Sequence, residues 1–158
     1  MIHGVTGHRD VDQKPGELDR FARLSVARMV CAGASTIITG MARGWDLAVA
    51  QACVDLRVPF WAAVPYWRQP EHWRPADKAL WHALIPKAEH CEVTGTLATT
   101  EALHKRSYWI VDNCASLWTL CDGTPSGTSK CVLYAEETGR KIVPLWQDWL
   151  EFRRASNA

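Results

Sequence analysis

Three short segments of this 158-residue chain combine glycine with hydroxyl, basic or acidic side chains: Gly4-Val5-Thr6-Gly7-His8-Arg9, Thr39-Gly40-Met41-Ala42-Arg43-Gly44-Trp45-Asp46 and Asp122-Gly123-Thr124-Pro125-Ser126-Gly127-Thr128. Glycine lets backbone N–H groups approach a ligand closely, and a helix that starts just after such a turn exposes unpaired donors to an anion. In the first segment the Gly7 amide, His8 and Arg9 follow one another, and the Arg9 guanidinium matches phosphate geometry. The same residues also suit an ordinary tight turn with Arg9 in solvent. In the second, Gly40 and Gly44 would expose amides, Trp45 either covers a base or joins the core, and Asp46 suits the cap of the helix that follows. The third is the most specific. Gly123 and Gly127 permit a sharp return of the chain, and Ser126, Gly127 and Thr128 can cradle an anion. Asp122 would then accept from a ribose hydroxyl or hold a magnesium ion through water, the plainer alternative being an Asp-Gly turn with a threonine cap. Arg106 either reaches the same ligand from a neighbouring helix or is a solvated charge.

These segments can cooperate only if the fold brings them to one edge. Apolar runs at 2–6, 35–39, 60–64, 90–94, 116–121 and 141–146 read as strands, several without strict alternation, which suits strands covered on both faces. Helical patterns fill 17–31, 46–56, 75–88, 100–114 and 128–138, with Gly33 and Gly139 where left-handed caps would end the first and fifth. The alternation predicts an α/β, Rossmann-like, doubly wound and mainly parallel sheet with helices on both faces. Ligands of such sheets bind at the carboxyl ends of the strands, where all three glycine segments fall. The irregular stretch 65–75, with Trp67 and Trp73, is read as a lid, a subunit contact or a plain surface loop.

Composition narrows the function classes. A 17.7 kDa chain with 47% hydrophobic residues fits one domain with a real core. A formal net charge of +1 disfavours general nucleic-acid binding, which depends on many cationic phosphate contacts. Six cysteines without a C-x-x-C pair read as buried free thiols in a reducing, cytoplasmic setting. No apolar run is long enough to span a membrane, and the six histidines lack metal-ligand spacing.

Taken together, these segments resemble the SLOG superfamily and, within it, the YpsA-like branch. Those are Rossmann-like proteins related to the Lonely-guy phosphoribohydrolases, also called lysine-decarboxylase-like, and to the DprA/Smf DNA-processing proteins. The resemblance runs from Gly4 to about Ile142 and takes in Val64-Pro65, Trp73, Lys105-Arg106 and Val111-Asp112. It implies a Rossmann-like domain over 1–146 followed by a C-terminal extension, 147–158. It also implies a nucleotide or nucleotide-derived ligand, with or without magnesium, and a homo-oligomer. The phosphoribohydrolase pattern Pro-Gly-Gly-x-Gly-Thr-x-x-Glu carries a catalytic glutamate three residues after its threonine. Here that position, counted from Thr128, is Cys131, and Glu136 and Glu137 lie too far along the helix to replace it. Ser107, Ser126 and Ala115 also depart from the family patterns. Ligand binding or sensing is therefore expected ahead of turnover. The alternatives are a nucleoside 5'-monophosphate phosphoribohydrolase in which Arg106 orients the phosphate, and single-stranded DNA binding.

Overall fold

In the computed structural model, residues 1–157 form one six-stranded sheet; Ala158, the last residue of the expected extension, lies outside the described residues. The strands are β1 (Ile2–Gly7), β2 (Thr36–Thr39), β3 (Phe60–Val64), β4 (His90–Val93), β5 (Ser116–Leu120) and β6 (Lys141–Pro144), in the order β4-β3-β2-β1-β5-β6. Every pairing is parallel. The helices are α1 (Glu17–Cys31), α2 (Trp45–Asp55), α3 (Pro75–Leu84), α4 (Thr100–Asn113), α5 (Gly127–Glu137) and α6 (Trp146–Ser156).

The apolar runs are continuous because the central strands are covered twice. In β2, neighbouring residues point to opposite faces, and both sides are core: Ile37 packs with Phe21, Met29 and Trp45, whereas Ile38 packs with Ile110, Val111 and Leu117. One core therefore lies under α1, α2, α3 and α6, and the other under α4 and α5. The edge strands β4 and β6 are only partly buried, as their charged termini suggest.

Three boundaries differ from the sequence reading. The third helix stops at Leu84 and continues as a 3-10 turn, Ile85–Lys87, since Pro86 has no N–H to extend the α ladder. The last strand ends at Pro144. Residues set apart as an extension instead contribute α6, whose Trp149 is fully buried among Phe21 and Phe152. Gly33 and Gly139 do adopt the left-handed conformation expected of them, with φ of 100° and 71°. The cysteines divide: Cys53, Cys114 and Cys131 are buried, Cys91 and Cys121 are partly covered, and Cys31 is exposed, which corrects the expectation of buried thiols for half of them.

Candidate functional site

Strand order reverses between β1 and β5, so the connections leaving these neighbours run to opposite faces and leave a crevice at their carboxyl ends. A cleft of about 920 Å³ opens there. Gly7, His8, Arg9, Asp46, Arg106, Asp122, Ser126, Gly127 and Thr128 all line it. Gly40, Gly44, Trp45 and Gly123 do not.

The lip after β5 is built by local hydrogen bonds. Asp122 Oδ1 accepts from the Thr124 amide at 2.9 Å and from the Thr124 hydroxyl at 2.6 Å, which bends the chain through Gly123 at φ 90°. These bonds, with a smaller contribution from His8 at 2.9 Å, hold the Asp122 carboxyl down at about 2. Asp122 is thus a fixed anion beside the cleft. Ser126 is the N-cap of α5: its hydroxyl accepts from the Ser129 amide at 3.1 Å, and the Ser126 amide donates to Ser129 Oγ at 2.7 Å. That reciprocal cap engages both the Ser126 hydroxyl and the Ser126 amide within the helix start. The Gly127 and Thr128 amides of the first turn have no partner among the described residues. No acidic side chain occupies that turn, and Lys130 lines the cleft one turn on. A Cβ at Gly127 would meet nothing within 4 Å, so this helix end is open.

The opposite lip is the loop from β1 to α1. Arg43 holds Asp10 at 2.5 and 3.3 Å, and Arg153 of α6 holds Asp12 at 3.4 Å, which fixes the loop that carries Arg9. The His8 ring packs edge-on against Trp146, with ring centres 6.0 Å apart. Both anchors from α6 lie outside the span in which the sequence analysis sought the site.

Several glycines work differently from the sequence expectation. A Cβ at Gly7 would sit 2.3 Å from Trp45 Cδ1, and one at Gly44 would sit 2.3 Å from the Arg9 carbonyl. Gly44, at φ 84°, is the N-cap of α2. These residues let loop one lie directly on loop two. Trp45 is completely buried, which removes it as a cover for a base. Asp46 is not the cap either: it stands inside the first turn, its main-chain carbonyl accepts from Thr39 Oγ1 at 2.9 Å, and its carboxylate Oδ2 accepts from the Ala42 amide at 3.3 Å. Burial outweighs the nearby Arg106 charge and raises the Asp46 carboxyl to about 6. Arg106 is itself buried and donates from Nη1 to the Gly40 carbonyl. A Cβ at Gly40 would lie 2.7 Å from Arg106 Nη1 and 2.9 Å from Asp46 Oδ2, so that glycine makes room for the two charges. Cys131 is buried, and desolvation raises its thiol to about 11, so it supplies no negative charge where the phosphoribohydrolases carry a glutamate.

The sequence reading missed Thr6, Thr124, Lys130 and Trp146, and the face of α4 formed by Thr100, Leu103, His104 and Ser107. Spacings of three and four residues mark that face as one stripe, a signal available in the sequence.

No family model matches the sequence, and no curated protein does. Solved structures do. DNA processing protein A from Streptococcus pneumoniae superposes with a TM-score of 0.66 at 19% identity, covering 90% of this chain and 49% of that one. The Helicobacter pylori DNA processing protein A, described with a single-stranded DNA binding mode, gives 0.68 at 11% identity over 91% and 64% of the chains. The molybdenum cofactor carrier protein of Chlamydomonas reinhardtii gives 0.61 at 15% identity over 98% and 82%. This is a Rossmann-like α/β fold. The chain spans about half the length of the Streptococcus protein, and the likeness at these identities is one of architecture. No helix among the described residues is long and apolar enough to cross a membrane.

Proposed function

We propose that the chain binds a nucleotide or nucleotide-derived ligand in the cleft between β1 and β5, as a binding or sensing domain of the YpsA-like kind. The observation that carries this reading is the open N-terminus of α5. Two free amides, the absence of an acidic side chain from that turn and a lysine one turn on favour a phosphate there, and Arg9 across the cleft adds a second cationic group. Among the described residues no group of three or more candidate metal ligands converges. A magnesium ion would therefore be held chiefly by the ligand's own phosphates, with Asp122 as the carboxylate beside it.

Thermal-shift and calorimetric titrations with AMP and ADP-ribose test the reading, since a ligand of the native state raises Tm by mass action. Gly127→Val should abolish the response without unfolding the chain, because a side chain there enters open space in front of the amides. No binding at millimolar concentration would refute the proposal. Turnover is not expected, as Cys131 offers a neutral thiol in place of the glutamate. Release of free base from nucleoside monophosphates, proportional to protein and lost in Arg106→Ala, would establish the phosphoribohydrolase reading instead.

Single-stranded DNA is the second reading, favoured by the likeness to the Helicobacter protein. The net charge of +1 argues against a long phosphate track. Fluorescence anisotropy of a labelled oligothymidylate, with a steep salt dependence, would support DNA over a mononucleotide.

A further inference from the structure

With a phosphate at the start of α5, the rest of the cleft must hold whatever the phosphate carries. Trp146 is the one large aromatic side chain among the described residues that line it. Its place is fixed by the backbone. The Leu145 amide donates to the Thr119 carbonyl at 2.8 Å, which ties the start of α6 to the carboxyl end of β5, and the Trp149 amide donates back to the Leu145 carbonyl at 2.9 Å. The Trp146 ring is half-buried: it packs against the same core as Val11, which also lines the cleft, and it meets the His8 ring edge-on at 81°. Its N–H sets it apart from other indoles of the chain. Nε1 of Trp61, Trp81 and Trp118 donates to Glu89, Gln69 and Ser116, and Trp45 Nε1 is sealed in the core. Trp146 Nε1 has no acceptor and is not sealed among the described residues, so the indole is open along that edge, on a residue that borders the cleft.

The parts of a nucleotide differ in what they gain from such a ring. A phosphate is repelled by the electron-rich face of an indole, and ribose hydroxyls require polar partners. A base presents a flat face that stacks on an aromatic side chain. We propose that Trp146 is the base-binding residue of the cleft, with the base stacked on its indole and the phosphate at α5. This rests on the nucleotide reading above and deepens it. Because β5 already holds the start of α6, little ordering is left to be done when the base arrives. Stacking accepts any base, so Trp146 imposes a requirement for an aromatic group rather than a choice between purines and pyrimidines.

Calorimetry with AMP and ribose 5-phosphate, which share the sugar and the phosphate, tests the assignment. The unaltered protein should bind AMP at least ~10-fold more tightly than ribose 5-phosphate. In Trp146→Leu, which keeps apolar bulk and removes the ring, AMP should weaken to within about threefold of ribose 5-phosphate, whose own affinity should stay as it was. Trp146→Phe keeps an aromatic face and should keep most of the preference. AMP should also quench tryptophan fluorescence in the unaltered protein and not in Trp146→Phe, a readout that stands even where the leucine variant does not fold. Equal affinity of the unaltered protein for the two ligands, a preference that survives in Trp146→Leu, a parallel loss of both ligands in that variant, or quenching that persists in Trp146→Phe would overturn the base assignment and leave the phosphate cleft standing. Absence of binding of either ligand by the unaltered protein would overturn both.

Discussion

Replacing Asp46 by asparagine should make the protein more stable, and by an amount that depends on pH in a specified direction. The carboxyl is raised from 3.8 to about 6 by burial, against the opposing pull of Arg106 and the Ala42 amide. A shift of this size corresponds to about 3 kcal/mol at ~1.4 kcal/mol per unit. Its sign follows from proton linkage. Between 3.8 and about 6 the folded protein binds the proton more tightly than the unfolded chain, so stability is greatest below 3.8 and falls as pH rises through this window. Above about 6 the folded state carries the full cost of an ionised, buried carboxylate. Asparagine resembles the neutral acid, can still accept from the Ala42 amide, and does not titrate. Urea unfolding should therefore find Asp46→Asn about 3 kcal/mol more stable than the unaltered chain at pH 8, with the gap below about 1 kcal/mol at pH 4. A variant less stable at pH 8, or a gap that does not change with pH, would mean that the carboxylate is well compensated in the folded protein and would refute the reasoning.

Gly7→Ala and Gly44→Ala should each lower stability by several kcal/mol or prevent folding, since each Cβ would lie 2.3 Å from buried or main-chain atoms, whereas Gly123→Ala, at φ 90° in open space, should cost only about 1 kcal/mol of backbone strain; thermal melts compare the three. Trp149→Ala should cost about 3–5 kcal/mol in urea unfolding, because its ring is 1% exposed within the α1 and α6 core, and little effect would mean that α6 is a detachable extension. We expect a homodimer or larger by size exclusion with light scattering. Trp67, 59% exposed and edge-on to the buried Trp81, is the aromatic residue on offer for a contact, and a constant mass near 17.7 kDa across micromolar concentrations would refute it.

The layered sheet was legible because its central strands are short, largely apolar runs and two of its helices, α1 and α5, end at glycines with positive φ. Both signals are local and survive any tertiary arrangement. Helix α6 carried a signal too. Trp146, Trp149, Leu150 and Arg153 fall at helical spacing, but a short terminal stretch with two arginines reads equally well as a solvated tail. The site was legible as a set of loops, less so as a set of roles, and the reason lies in glycine itself. A missing side chain admits either a ligand to the backbone or a neighbouring side chain to the same space. Only the neighbour distinguishes the two: Gly127 faces open cleft, while Gly7 accommodates the Trp45 ring and Gly40 the Asp46 and Arg106 charges. Asp46 is ambiguous for the same reason, since an aspartate at the start of a helix is an ordinary local feature until the third dimension buries it opposite an arginine from α4, 60 residues later in the chain. The second loop thus contributes less through its amides than through the space its glycines clear. That space is what allows two buried charges to face one cavity, and it makes the floor of the cleft the part of the site whose chemistry the local sequence pattern conceals most completely.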